Sequence, residues 1–377
     1  MKYFFLIAAF NALFFTALLL QKKKALHDKI LVVWLIYLGI YTGSYALFSD
    51  VLFTEYHLLS ASFISLLMLH GPFLYLYISA LTNQKFRINR MSFYHFVPFI
   101  LFNVYVLTTM LVPETSERIR LDHVETEHPV PFLFNLFLIL TVLSGPVYFL
   151  LAVKLFRKLD FNLANNFSTP EKIDPNWLKK LVYTFGIVWT ILIVAASLHH
   201  VFHFYSLQFC TDGLFLSLSV FIILIGYFGL KQQVIFMQYA GSNKEFVTEQ
   251  GPKYTSRLLE DDEAEKLVVR VQDYMKEQKP FLNADLTLPD LAEQIQVPSH
   301  HLSRAINEKL ELNFYEFVNR YRIEAVKAKL SDPSFQNLSL LGIAYDSGFN
   351  TKSAFNRVFK KLTGTTPSAY KKSLSET

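Results

Sequence analysis

For its first 230 residues the chain alternates long apolar runs with short polar breaks, and beyond residue 260 the apolar positions thin to helical stripes. The runs are Tyr3 to Leu20, Ile30 to Phe48, Leu58 to Leu81, Phe93 to Val112, Phe132 to Phe156, Leu181 to Phe204 and Gly213 to Leu230. A helix crossing ~30 Å of hydrocarbon needs about 17–25 such residues, so the pattern predicts seven membrane-spanning helices. Two runs contain helix-interrupting triplets, His70-Gly71-Pro72 and Ser144-Gly145-Pro146, which free backbone carbonyls and are expected to be structural kinks rather than ligand cavities. Residues 240 to 257, with Gly241, Ser242, Asn243, Gly251 and Pro252, read as a linker.

From Glu260 to Gln278 the pattern is an amphipathic helix, with Leu267, Val268, Val271, Tyr274 and Met275 on one side and Glu260, Asp261, Asp262 and Glu263 at its positive N-terminal end. That apolar face suits either a homodimer contact or docking on the region that follows. Two helix-turn-helix patterns come next, Leu286 to Lys309 and Leu340 to Lys361, joined by a helix from Phe314 to Leu330 with Phe317, Tyr321, Ala325 and Leu330 inward. In the first, small Ala292 admits a close second helix, on which Leu302 and Ile306 share the buried face. In the second, Gly348 suits a left-handed turn, Thr351 suits an N-cap, and Phe355 and Phe359 anchor the helix Lys352 to Lys361. The expected fold is all-α: a seven-helix transmembrane bundle at residues 1–230, a linker and start of a connector helix at 231–264, and a soluble tandem helix-turn-helix domain at 265–377.

Composition agrees with two regions of different solvent. Of 377 residues 52% are hydrophobic and 16% aromatic, with mean hydropathy +0.28, too apolar for a soluble chain and too charged for a simple transporter. Charge then orients the spans. The first, third and fifth loops carry Lys22, Lys23, Lys24 and Lys29, then Lys85, Arg87 and Arg90, then Arg157, Lys158, Lys172, Lys179 and Lys180, whereas the even loops carry only Arg118 and Arg120. The odd loops are therefore cytoplasmic, the N-terminus is outside, and the C-terminal region lies inside. The basic cluster follows the first apolar run, so that run reads as an uncleaved span and not a signal peptide.

Candidate chemistry is sparse in the apolar half. His199 and His203 share a helical face near the outer end of the sixth span, and His57, His123 and His128 also fall near that surface. They are low-ranking metal or proton-sensing candidates against the alternative of interfacial packing, and no metal or cofactor is expected. The outer loop from Pro113 to Pro131 is acidic, with Glu114, Glu117, Asp122, Glu125 and Glu127. Cys210 is the only cysteine, which excludes an intramolecular disulfide. No glycine-rich phosphate loop and no nucleophile with a base at readable spacing is present, so the chain is not expected to be an enzyme.

The C-terminal helices carry richer chemistry. His300, Ser303, Arg304 and Asn307 lie opposite Leu302 and Ile306, and Lys352, Ser353, Asn356, Arg357 and Lys360 lie opposite Phe355 and Phe359. Arg304 and Arg357 suit bidentate pairing with guanine, and Asn307 and Asn356 suit adenine. Lys360, Lys361, Lys371 and Lys372 suit phosphate, and no acidic residue intervenes between Asp346 and Glu376. Asn350, beside the turn, completes the expected DNA-contact set.

The segment Ile343-Ala344 through Gly348-Phe349, then Phe355-Asn356-Arg357-Val358-Phe359-Lys360-Lys361, then Gly364, Pro367 and Tyr370, resembles the C-terminal signature of AraC/XylS-type transcriptional regulators, over roughly residues 270 to 372. The resemblance implies two helix-turn-helix subdomains joined by a long helix and reading successive major-groove segments on one face of duplex DNA. One departure is Pro298, where the family has a polar N-cap; Ser299 is expected to cap one residue later. The apolar half, with His70-Gly71-Pro72-Phe73-Leu74-Tyr75, is similar in layout to multi-span sensor regions fused to such domains in bacterial membrane-bound regulators. Together these imply a one-component regulator of the bacterial inner membrane. Its expected partners are promoter or operator DNA, the lipid bilayer, a signal ligand of unknown identity, RNA polymerase and, through the Glu260 to Gln278 face, a second copy. The competing expectation is a membrane transporter or receptor whose helical cytoplasmic tail binds a protein partner.

Overall fold

Asp28 accepts a hydrogen bond from the backbone N–H of Ala25 at 3.1 Å, which starts the second helix four residues before its apolar run and shows how polar caps, not hydropathy, set the helix ends. The computed structural model describes residues 1–21, 25–83, 86–119, 121, 130–170, 176–200, 204–231 and 261–375. These residues are divided between two bodies, and no strand occurs among them.

The first body takes in residues 1–156 and 175–238. Its helices are α1 (Lys2–Leu20), α2 (Leu26–Glu55), α3 (His57–Ser65), α4 (His70–Thr82), α5 (Arg90–Phe93), α6 (Val97–Thr109), the short α7 (Pro113–Ser116), α8 (Phe132–Asn166), α9 (Asn176–His200) and α10 (Leu207–Lys231). A 3₁₀ turn, Leu66–Leu69, joins α3 to α4, and another, Tyr94–Phe96, joins α5 to α6. Counting each joined pair once, seven helices among the described residues are long and apolar enough to cross a membrane. Their outward faces expose Phe10, Ile40, Leu101, Leu150, Ile187 and Val220, side chains that favour hydrocarbon over water.

Aromatic packing fills the inside. Tyr45 stacks on Phe215 with centroids 3.7 Å apart, and its hydroxyl donates to Asp212 Oδ1 at 2.7 Å. The triplet at His70 coincides with a real irregularity: the 3₁₀ turn leaves the Leu66 carbonyl to accept from the Tyr37 hydroxyl at 2.7 Å. The second triplet does not end its helix, because α8 continues through Pro146. Its glycine serves packing instead, since a Cβ at Gly145 would fall 1.8 Å from the Trp189 ring.

The second body groups residues 157–174 with 239–377, so that α8 contributes its residues from Arg157 onward to it. Its helices are α11 (Asp261–Glu277), α12 (Leu288–Gln294), α13 (Ser299–Lys309), α14 (Phe314–Ser331), α15 (Leu340–Tyr345), α16 (Lys352–Thr363) and α17 (Pro367–Ser375). Two cores organise them. Leu267, Val268, Val271 and Met275 of α11 pack with Leu288, Leu291, Ala292, Leu302, Ile306, Phe314 and Phe317, so the amphipathic helix docks on the first helix-turn-helix pair. The second core joins Ile323 and Val326 of α14 to Ile343, Ala344, Phe349, Phe355, Val358 and Phe359. Helix α14 is thus the shared beam of both cores, and each fully buried Leu, Ile or Phe contributes about 1.5–3 kcal/mol to them.

Candidate nucleic-acid interface

The first pair opens on a capping box in which Thr287 accepts from the Asp290 N–H and the Asp290 carboxylate accepts from the Thr287 N–H at 3.1 Å. The chain leaves α12 through Gln296, held at φ 55°, while Val297 N–H donates to the Ala292 carbonyl at 2.9 Å. Pro298 itself occupies the N-cap of α13 and makes no side-chain cap. Ser299, expected to cap, is the first helical residue. Proline's fixed φ suits the approach to a helix without supplying an acceptor.

On α13, His300 is exposed and Arg304 and Asn307 are half-buried, on the side away from Leu302, Ala305 and Ile306. Ser303 corrects the expectation: it is 5% exposed, and its hydroxyl accepts from Asn307 Nδ2 at 3.4 Å. Sitting one turn before Ile306, it rides the edge of the apolar stripe instead of facing out. Arg304 Nε donates to Glu308 Oε2 at 2.7 Å, which fixes the guanidinium along the helix. Burial, reinforced by neighbouring His300, holds the His301 imidazole below its ordinary pKa.

The second pair is drawn more sharply. Ser339 caps α15 by accepting from Gly342 N–H, and Thr351 caps α16 by accepting from Ala354 N–H at 3.2 Å. Between them Gly348 adopts φ 91°. A Cβ there would lie 2.2 Å from the Phe281 carbonyl oxygen, so both conformation and space demand glycine. On α16, Ala354, Phe355, Val358 and Phe359 are buried, and Lys352, Ser353, Asn356, Arg357, Lys360 and Lys361 are all exposed. Asn350 does not stand with them. It precedes the cap, and both of its side-chain amide atoms are buried without a partner.

The N-terminal end of α14 reaches this exposed face. Tyr315 Oη accepts from Arg357 Nη2 at 3.2 Å, and Glu316 Oε1 accepts from Lys361 Nζ at 2.8 Å. The hydrogen bond from Lys361 holds the Glu316 carboxyl below its ordinary range. Neither Tyr315 nor Glu316 was among the residues expected from the pattern. The available signal was the polar pair directly beside the buried anchor Phe314. Arg322, also missed, lies on the buried stripe Phe314, Val318, Arg322, Val326, where a charge at apolar spacing signals an internal partner.

Among the described residues the histidine candidates give no ligand cluster. His199 is 5% exposed, with Nδ1 3.0 Å from the Tyr205 carbonyl and Nε2 3.3 Å from the Leu121 carbonyl, so both nitrogens already face backbone oxygens. His203, His123 and His128 lie outside the described residues, and no group of three metal-ligating side chains occurs among those described.

Residues 291–373, from within α12 to within α17, match a family model described as a helix-turn-helix domain. This part of the chain is an AraC-type helix-turn-helix domain. Over 114 residues the chain is 32% identical to an uncharacterised helix-turn-helix-type transcriptional regulator of Staphylococcus aureus strain COL, an alignment covering 30% of this chain and 14% of that protein. It is 31% identical over 87 residues to the melibiose operon regulatory protein of Escherichia coli K12, covering 23% of this chain and 28% of that one. Among solved structures it is similar to a protein of unknown function from Listeria innocua, at 28% identity and TM-score 0.25, covering 28% of this chain and 94% of that chain. The chain thus spans only 14% and 28% of the two regulators it matches, and the likeness resides in the AraC-type domain.

Proposed function

We propose that the chain is a membrane-bound, one-component transcription regulator whose AraC-type domain binds duplex DNA through α13 and α16. The observation that carries this reading is the face of α16, where four buried apolar residues stand opposite Lys352, Ser353, Asn356, Arg357, Lys360 and Lys361. Such a helix presents hydrogen-bonding side chains to base edges and cations to phosphates while its other face holds it on the body. Arg304 and Arg357 pair with guanine, Asn307 and Asn356 address adenine, His300 and Ser353 line the groove, and Lys352, Lys360, Lys361, Lys371 and Lys372 meet the backbone. The seven long apolar helices support residence in the bacterial inner membrane, and the lysine- and arginine-rich odd loops support an outside N-terminus with the reader in the cytoplasm. The input is a signal sensed in the membrane or at the outer face, and it acts by favouring one of two states that differ in promoter affinity.

The test uses the full chain in lipid nanodiscs, incubated with sheared genomic DNA and sequenced after capture. Enrichment of a few promoter fragments, displaced by salt, is the expected result. Retention of no fragment above random would sink the proposal.

A further inference from the structure

Arg322 is 1% exposed within the second body, and its guanidinium donates along all three nitrogens. Nε donates to the Phe281 carbonyl at 2.8 Å; Nη1 donates to the Ser168 carbonyl at 3.0 Å and Thr169 Oγ1 at 3.1 Å; Nη2 donates to Ser168 Oγ and the Asn283 carbonyl, both at 2.9 Å. Three of these five acceptors belong to residues 168 and 169, which directly follow the last turn of α8 in the chain. The same short segment is laid along 284–287: Phe167 and Thr287 form an antiparallel bridge, Ser168 N–H donates to the Leu286 carbonyl at 3.2 Å, and Thr169 Oγ1 donates to the Ala284 carbonyl at 2.7 Å. Thr287 is the cap of α12, so this segment touches the root of the first helix-turn-helix pair. Through Arg322 it also touches the second. A Cβ on Gly348 would lie 2.9 Å from Arg322 Nε, and the guanidinium carbon stands 5.9 Å from the centre of the Phe349 ring.

We propose that residues 167–169 are a strap in which Ser168 and Thr169 act as positioning residues for DNA binding, holding the two reading heads at one spacing, with α8 as the element that sets the strap. The physical reason is the cost of a buried guanidinium deprived of acceptors. When the strap shifts, Arg322 follows it or loses the three acceptors on residues 168 and 169, and the Gly348 turn rests on Arg322. The proposal rests on the DNA-binding reading above.

The experiment takes the full chain in nanodiscs and the promoter duplex it captures, together with each half of that site alone and versions lengthened between the halves by one or two base pairs. The variant Ser168→Ala/Thr169→Val removes two hydroxyl acceptors while keeping the Ser168 carbonyl and the bulk of both side chains. The unaltered chain should prefer the native spacing by about tenfold, within the usual range for coupled sites. The variant should lose that preference while its affinity for each isolated half stays within about twofold, a pattern that loss of folding does not produce. Unchanged spacing preference in the variant, an equal loss on isolated halves, or indifference of the unaltered chain to spacing would each overturn the strap. Failure of the unaltered chain to bind any DNA overturns the DNA-binding reading instead, and this inference with it.

Discussion

Arg357 stands on the exposed face of α16 with one guanidinium nitrogen held by the Tyr315 hydroxyl, a side chain aimed in advance and not left to swing. Replacing it by alanine should cost about 1–3 kcal/mol of affinity for the specific site and relax selectivity at one base pair, read by binding to single-position variants of that site. Lys371→Ala should weaken all sequences evenly and lower the salt dependence by about one counterion. Glu316 supplies the opposite test. Its carboxylate ties Lys361, so Glu316→Gln should strengthen DNA binding about threefold or more at low salt by freeing that cation, while the amide preserves the cap on α14. Because the folded-state pKa of Glu316 is depressed, the pair is present above the ordinary carboxylate range and is lost as pH falls through the lowered value, so the effect of the substitution should vanish in acid. At this scale the sequence was legible where side chains sit squarely opposite an apolar stripe, as on α16. It misled at Ser303, on the edge of its stripe, and at Asn350, before the cap, where helical spacing no longer says which way a side chain points.

The two turns solve one problem in different ways. Gln296 and Gly348 both have positive φ, at 55° and 91°; Gln296 carries its side chain there, whereas at Gly348 the Phe281 oxygen lies 2.2 Å from where a Cβ would sit. Gly348→Ala should therefore destabilise the second pair by more than about 1 kcal/mol, whereas Gln296→Gly should be neutral or stabilising by up to about 1 kcal/mol. Hydrogen exchange of α15 and α16 against that of α12 and α13 in the full chain distinguishes them; equal loss in both variants would contradict the geometry. The elements themselves were largely legible, because α11, α13 and α16 carry strong apolar stripes and the spans are long apolar runs. What hydropathy did not reveal was the end of α8. The apolar run stops at Phe156, and the helix goes on to Asn166 because polar residues sustain a helix when their neighbours bury them: Leu159, Asn162, Leu163, Asn165 and Asn166 are all buried.

At the scale of the whole molecule, the arrangement of loop charges makes a directional prediction. A cysteine placed at Glu117 in a Cys210→Ser background should react with a membrane-impermeant maleimide added to intact cells, and one placed at Lys158 should not; the reverse pattern would invert the proposed orientation. The division into seven long apolar helices and a C-terminal region of helical stripes follows from composition and period alone. The membership of residues 157–170 in the second body does not, since Phe167, Ser168 and Thr169 join it by hydrogen bonds to Arg322 and to residues 284–287, more than a hundred positions away, and periodicity carries no record of such pairings.

The two-segment construction of the reader also limits how it can be moved. A graft of residues 261–377 onto another sensor would transplant both recognition helices and Arg322 yet leave Ser168 and Thr169 behind. If the strap acts as proposed, the reader is not a detachable cassette: a working chimera has to inherit residues 167–169 along with the C-terminal region, and a fragment lacking them keeps its grip on each half of the captured site while losing its sense of the distance between them.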